Sequence, residues 1–343
     1  MSFVTVATNV IERVPFPDAV TSAGISLLVD RTRRKLAREG AVPDVDFARL
    51  MAQHPIAVRP DAANAQHYEV KSAFFGLVLG PRRKYSCCLY RTLADSLAVA
   101  EENALAETAA HAALADGQDI LELGCGWGSL SLWMAERYPA SHITAVSNSH
   151  GQRAYIEAEA AARGFGNLRV ITADMNDFAS DDTFDRVVSV EMFEHMTNWQ
   201  SLLRRVHGWL RPDGRLFMHV FSHHSAPYLF DVADKEDWIA QHFFTGGIMP
   251  SHGLIRHVAE RFEVEADWRW NGEHYARTAK DWLSNFDRNE TTVMEVLREV
   301  YGGDAALWRR RWRLFFLATA GLFGHAGGAE WGVSHYRLRP LAR

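Results

Sequence analysis

The chain has 343 residues, enough for one large domain with a full core or for a core plus a cap. A formal net charge of -5 and a pI near 6.3 argue against a nucleic-acid surface. Three cysteines (Cys87, Cys88 and Cys125) have no framework spacing, and no basic-then-apolar leader opens the chain, so a reducing, cytoplasmic setting is expected.

Residues 1–80 read as a helical extension or cap. Within it Ile25, Leu28, Val29 and Leu36 fall on one face of an Arg-rich segment, and Pro55 and Pro60 break the pattern. Residues 74–79 form a short apolar stretch closed by Gly80-Pro81. Basic runs at 31–38, 82–84 and 309–313 read as solvated faces.

From Gly117 short apolar strands alternate with helices, the pattern of a mostly parallel sheet covered on both faces. Strands are expected at 119–123, 142–146, 168–172, 186–190 and 215–220, and helices at 129–137, 152–162 and 199–210. Pro212-Asp213-Gly214 is a turn signal before the fifth strand. Residues 222–253, rich in His, Gly and aromatics, read as an insertion covering the site. A helix at 254–261 and strands at 264–268 and 333–338 complete the core, which spans 81–343 with a second covering insertion at 277–325. The longest apolar run, 314–323, is too short for a membrane span of about 20 residues and reads as a buried helix.

Glu122-Leu-Gly124-Cys125-Gly126-Trp-Gly128 lies where the first strand gives way to a helix. Glycine there lets the backbone turn sharply and approach a ligand, whose charge then meets helix-start N–H groups. Such a turn serves a dinucleotide or S-adenosylmethionine equally. Glu122 suits a ligand ammonium group, and Asp174 with Met175, after the third strand, suits an adenosine; a helix N-cap is the plainer role for Asp174. No acid stands about 20 residues past the glycines to grip a ribose. Ser147, Asn148 and Gln152 occupy that region instead, which counts against a nicotinamide enzyme.

Glu191-Met-Phe-Glu194-His195-Met follows the fourth strand, at the sheet edge where α/β folds bind ligands. If the segment is helical, Glu191, Glu194 and His195 share one face. An amine arrives as ammonium and must lose a proton before its lone pair attacks a methyl sulfonium; a carboxylate–His set can hold the cation and take the proton. Structural ion pairing is the plainer role for the same three residues. Tyr85-Ser86-Cys87-Cys88 stands ready to close over the cofactor, and Tyr275 to place a hydroxyl over the pocket. Trp238, Phe243, Phe244 and Trp270 suit a cationic or aromatic substrate, or simply a core. His219, His223 and His224 lack a matching carboxylate or thiol, so no metal site is expected.

Taken in order, Tyr-Ser-Cys-Cys, Leu-Glu-Leu-Gly-Cys-Gly-Trp-Gly, Ser-Asn-Ser, Glu-Met-Phe-Glu-His-Met and Phe-Phe-Thr-Gly-Gly-Ile-Met-Pro-Ser resemble the cyclopropane-fatty-acid synthase-like methyltransferases. Within them the chain is most similar to the coclaurine N-methyltransferase-like branch, as Gly272-Glu-His274-Tyr275 and Gly327-Gly-Ala-Glu330-Trp331 also fit. The resemblance implies a class I, Rossmann-like α/β fold with a seven-stranded sheet. It implies S-adenosylmethionine contacts from Tyr85, Ser86, the Gly124–Gly128 turn, residues 147–152 and Asp174. In the N-methyltransferase branch, the matches of Glu191, Glu194 and His195 act in the site. In the lipid branch, the matches of Cys87, Glu194, His219 and Tyr275 hold bicarbonate. The implied activity is N-methylation of a small aralkylamine or isoquinoline-like acceptor. The competing reading is methylation or cyclopropanation of unsaturated phospholipids, with the membrane surface as partner. A binding module without catalysis ranks behind both, and a homodimer stays open.

Overall fold

The computed structural model describes residues 12, 14, 16–38, 42–58, 72–230 and 238–342. Pro60 and the rest of 59–71, and residues 231–237 of the expected covering insertion, lie outside them.

The apolar runs after Gly117 become strands β1 (Asp119–Leu123), β2 (His142–Ser147), β3 (Leu168–Thr172), β4 (Phe184–Val190) and β5 (Leu210–His223). Two more strands, β8 (Phe262–Asn271) and β9 (Trp331–Pro340), close one mostly parallel sheet in the order β3-β2-β1-β4-β5-β9-β8. A separate two-stranded ribbon, β6 (Tyr228–Leu229) and β7 (Ile248–Met249), lies between β5 and β8 in the chain. β9 runs antiparallel between β5 and β8 and sets His219 opposite His335. Both faces of the sheet are covered, which explains the near-continuous apolar strands. Leu121, Leu123, Val187, Val188, Phe217 and Met218 are all buried.

The crossover helices have clear start signals. In chain order the helices are α1 (Asp18–Arg38), α2 (Asp44–Met51), α3 (Ser72–Val78), α4 (Leu97–His111), α5 (Ser129–Arg137), α6 (His150–Arg163), α7 (Trp199–Trp209), α8 (Trp238–His242), α9 (Ile255–Val258), α10 (Glu273–Arg288), α11 (Glu290–Tyr301) and α12 (Ala305–Phe323). Ser96, Ser149 and Asn198 cap α4, α6 and α7 by accepting from backbone N–H groups one turn on.

Three expectations need correcting. Pro212-Asp213-Gly214 does not precede the fifth strand: β5 already begins at Leu210, and the pairing with β4 slips between Phe184 and Arg186 to absorb the irregularity. The expected helix at 254–261 shortens to Ile255–Val258 because Ala259 leaves helical geometry and β8 starts at Phe262. Ile25 and Val29 are buried, but Leu28 is exposed, so the inner face of α1 is narrower than four residues. The run at 314–323 is the buried helix expected, as the second half of the longer α12.

One apolar cluster joins Ile25 and Val29 of α1, Phe74 and Phe75 of α3, Trp282 and Phe286 of α10, and Trp312, Phe315 and Phe316 of α12. Helices α1 and α3 therefore pack with the late helices, whereas α2 packs through Phe47, Ala48 and Met51 with Trp199 of α7 and Ile255 of α9. Among the described residues, no helix is long and apolar enough to cross a membrane.

Candidate active site

Two adjoining cavities open at the carboxyl ends of β1, β2 and β4 and share Gly124, Gly126, Gln152, Glu191 and His195. One is lined by Tyr85, Ser86, Glu122, Cys125, Trp127, Phe221, Phe244, Tyr275 and Phe315. The other is lined by Ser147, Asn148, Asp174, Met175 and Thr245.

The glycine turn behaves as its sequence requires. Gly124 and Gly126 have φ of 79° and 52°, a left-handed backbone that glycine adopts freely. A Cβ on Gly124 would sit 2.5 Å from Met192 Cγ. Gly128 does not line the cavities: it caps α5 at φ 76°, and a Cβ there would sit 2.6 Å from Ile156 Cγ1 of α6. Its role is helix-to-helix approach.

Glu122 is buried and accepts from Ser131 Oγ; burial raises its carboxyl to about 7. Ser147 Oγ donates to Gln152 Oε1 at 2.7 Å, turning Gln152 Nε2 inward with no partner among the described residues. Ser129 Oγ and Trp127 Nε1 are likewise buried and unpartnered there. Asp174 accepts from Asn176 N–H at 2.7 Å, the local turn that presents its other oxygen. The adjacent loop is held by Glu101, whose carboxylate accepts from the backbone N–H of Arg82 at 2.9 Å and of Lys84 at 3.1 Å. Buried Lys84 donates to the Cys87 carbonyl at 2.7 Å. The reading of 82–84 as a solvated face is thus wrong at Lys84, which is buried with its ammonium bonded to the 86–87 turn.

The Glu-Met-Phe-Glu-His segment is not the helix that its spacing allowed. Only Phe193–His195 turns, as a 3-10 helix, and Glu191 stands before it at φ 48°. The left-handed backbone at Glu191 separates it from Glu194, so the three residues do not share a helical face. Glu191 accepts from Cys87 N–H at 2.9 Å and from the Tyr275 hydroxyl at 2.6 Å, and shares a hydrogen bond with His219 Nε2 at 3.2 Å. Burial raises its carboxyl above the usual carboxylate range, against the pull of nearby Lys84 and these donors. Glu194 is fully buried behind the wall; one oxygen accepts from Phe221 N–H at 2.5 Å and the other has no partner among the described residues. Burial first, and the nearby Glu191 carboxylate second, push the Glu194 carboxyl well above the usual carboxylate range. His195 lines both cavities and stacks on Phe244, 5.2 Å between centroids.

Cys87 serves through its backbone: its thiol is turned away to the Cys88 carbonyl at 3.4 Å, and burial raises it well above the usual thiol range. His219 lies behind Glu191, outside the lining. Burial lowers it well below the ordinary histidine range. Three members of the expected bicarbonate set thus turn their hydrogen bonds to Glu191, and Glu194 bonds instead to Phe221 N–H. These residues do not fit a bicarbonate.

The structure does supply the carboxylate that His223 and His224 lack in sequence: Glu330 lies 3.5 Å from His223 Nε2 and 3.2 Å from His224 Nδ1. His223 Nδ1 accepts from the backbone N–H of Ser225 and Ala226, which leaves the proton on Nε2, the atom that a metal would need. The trio lies within ion-pair distance, with His223 Nε2 unpartnered among the described residues.

The sheet order, the glycine cradle and the inward orphan donors define a class I S-adenosylmethionine-dependent methyltransferase. Residues 57–326 match the mycolic acid cyclopropane synthetase family, and the chain belongs to it. It is 33% identical over 296 residues to (S)-coclaurine N-methyltransferase of Thalictrum flavum subsp. glaucum, covering 85% of this chain and 82% of that one. It is 30% identical over 295 residues to the enzyme of the same name from Papaver somniferum, covering 85% and 84%. The crystal structure of coclaurine N-methyltransferase bound to N-methylheliamine and SAH superposes with a TM-score of 0.88 at 31% identity, covering 96% of this chain and 98% of that one.

Proposed function

We propose that the chain methylates the nitrogen of a small aralkylamine or isoquinoline-like amine, with Glu191 as the group that holds the ammonium and takes its proton. The observation carrying this reading is Glu191 itself, a buried carboxylate fixed by Cys87 N–H, Tyr275 and His219 at the junction of both cavities. S-adenosylmethionine supplies an electrophilic methyl group. Glu122 suits its ammonium, Gln152 Nε2 its ribose hydroxyls, and Asp174 with Met175 its adenine side.

The other cavity is walled by Trp127, Phe221, Phe244 and Phe315, faces that attract a cation and pack an aromatic ring. An ammonium paired with the Glu191 carboxylate loses a proton to it, and the freed lone pair attacks in line with the sulfonium bond. Stacked on Phe244, His195 orients the acceptor from the opposite side. Glu194, enclosed behind the wall, braces the β5 backbone at Phe221. Phe244 and Phe315 of this wall come from the covering elements and Trp127 and Phe221 from the core, so the aromatic lining decides which amine fits.

The similarity to the two plant N-methyltransferases supports the amine over a lipid acceptor, as does the Glu191 carboxylate standing where a bicarbonate would need the same donors. The test is S-adenosylhomocysteine release by purified protein, run in parallel on an amine panel and on unsaturated phospholipid vesicles. Release with amines alone is expected. Release with vesicles alone overturns the reading.

A further inference from the structure

A file of three histidine rings leads from the back of Glu191 to the protein surface. His219 Nε2 lies 3.2 Å from Glu191 Oε1, and His219 Nδ1 lies 2.9 Å from His335 Nε2. His335 Nδ1 lies 2.8 Å from His111 Nδ1, and His111 Nε2 lies 3.4 Å from Glu107 Oε1. His219 and His335 are fully buried, whereas the Glu107 side chain is 31% exposed. The antiparallel pairing of β5 with β9 sets the first two rings side by side, and the last turn of α4 delivers the third.

A neutral imidazole carries one N–H, so each ring-to-ring contact needs one donor and one acceptor. Fixing one ring's tautomer therefore fixes all three. Two arrangements satisfy every ring-to-ring contact and the contact with Glu191. In the first, His111 Nδ1–H donates to His335, His335 Nε2–H to His219, and His219 Nε2–H to the Glu191 carboxylate. In the second, a protonated Glu191 donates to His219, each ring donates outward, and His111 Nε2–H faces Glu107. The two arrangements differ by one proton.

We propose that His219, His335 and His111 form a reversible proton path through which Glu191 exchanges its proton with solvent at Glu107 while cofactor and substrate fill the pocket. The proposal rests on the amine reading in taking Glu191 as the group whose charge matters. Outward, the O–H bond of Glu191 breaks as His219 gains Nε2–H, and His219 gives its Nδ1 proton to His335 Nε2. His335 gives its Nδ1 proton to His111 Nδ1, and the Nε2 proton of His111 passes to Glu107 and water. The inward shift is the reverse, and no co-reactant is needed.

The surroundings suit a concerted shift. Burial lowers both His219 and His335, which disfavours a resting imidazolium on either ring. Lys84 faces both rings, and Arg337 on β9 and Glu107 face His111. The rings are clamped by aromatics: His111 stacks on Trp268 at 3.8 Å, and Trp270 lies 4.4 Å from His335 and 5.4 Å from His219. His111, His219 and His335 are positioning residues, acting through Glu191.

The test compares His335→Gln and His111→Ala with the parent protein, using pH–rate profiles, the solvent deuterium isotope effect and imidazole rescue. Expected are a fall in kcat of about tenfold or more, an altered acid limb, a larger isotope effect and little change in amine KM. Imidazole in the buffer should restore His111→Ala, whose half-buried site admits it. In resting protein, 15N-histidine spectra should show that His111→Ala changes the tautomer balance of His335 and His219. That readout needs no substrate and stands even if His335→Gln fails to fold. Parent-like pH profiles with unchanged tautomers overturn the path. Amine turnover surviving Glu191→Gln overturns the amine-base reading instead, whatever the histidine variants do.

Discussion

Tyr275→Phe isolates one hydrogen bond at the heart of the site. The hydroxyl donates to Glu191 Oε2 at 2.6 Å, while the ring stacks on Phe323 with centroids 4.4 Å apart, so the substitution removes the donor and keeps the packing. A hydrogen bond to a charged group contributes about 1.5–3 kcal/mol. At about 1.4 kcal/mol per decade, that is roughly a tenfold to hundredfold change in the ratio of carboxylate to acid. Burial already raises the Glu191 carboxyl, and losing a donor to the charged form raises it further. The acid limb of kcat/KM should therefore move to higher pH, with turnover recovering on the alkaline plateau. S-adenosylhomocysteine release measured across pH reads this directly. An acid limb that stays put, or moves to lower pH, refutes the assignment of Glu191 as the proton acceptor.

Glu122 is raised to about 7 by burial, so binding the cofactor's ammonium should favour its ionised form and release protons near neutrality; titration calorimetry in buffers of different ionisation enthalpy should detect them, and Glu122→Gln should abolish them. Without cofactor, the folded state holds that proton up to about 7 while the unfolded chain loses it near 4.5, so stability falls as pH rises through this window. Glu122→Gln should flatten part of that fall in melting temperature, with Glu101, also raised to about 7, contributing the remainder. Gly128→Ala combines a left-handed backbone with a Cβ 2.6 Å from Ile156, so unfolding measurements should show a loss of roughly 2–5 kcal/mol. A loss below 1 kcal/mol would mean that α5 and α6 separate freely.

The sheet was legible because buried parallel strands leave short apolar runs and capped helices leave Ser and Asn marks. β1, β3 and α5 fall where the pattern puts them. The entry into β5 was not legible, because Pro-Asp-Gly reads as a turn while its pairing irregularity depends on β4. The cofactor wall was largely readable from the glycine turn and from Ser147 and Gln152, since backbone geometry and short-range bonds build it. The chemistry at Glu191 was only half readable. Its left-handed backbone undoes the helical face, and its partners come from the 87, 219 and 275 regions, which only the tertiary fold joins. His335 and His111 sit in no motif. A histidine at a buried position of β9 was the one available signal, and its meaning came from the strand opposite.

The most direct test of the central claim is amine turnover by Glu191→Gln at saturating S-adenosylmethionine, with cofactor affinity measured in parallel. Gln keeps the size of the side chain and loses the charge and the basicity. Near-parent cofactor affinity is expected, with turnover reduced by about a hundredfold or more. Parent-like turnover in Glu191→Gln would contradict it and move the proton acceptor elsewhere in the site.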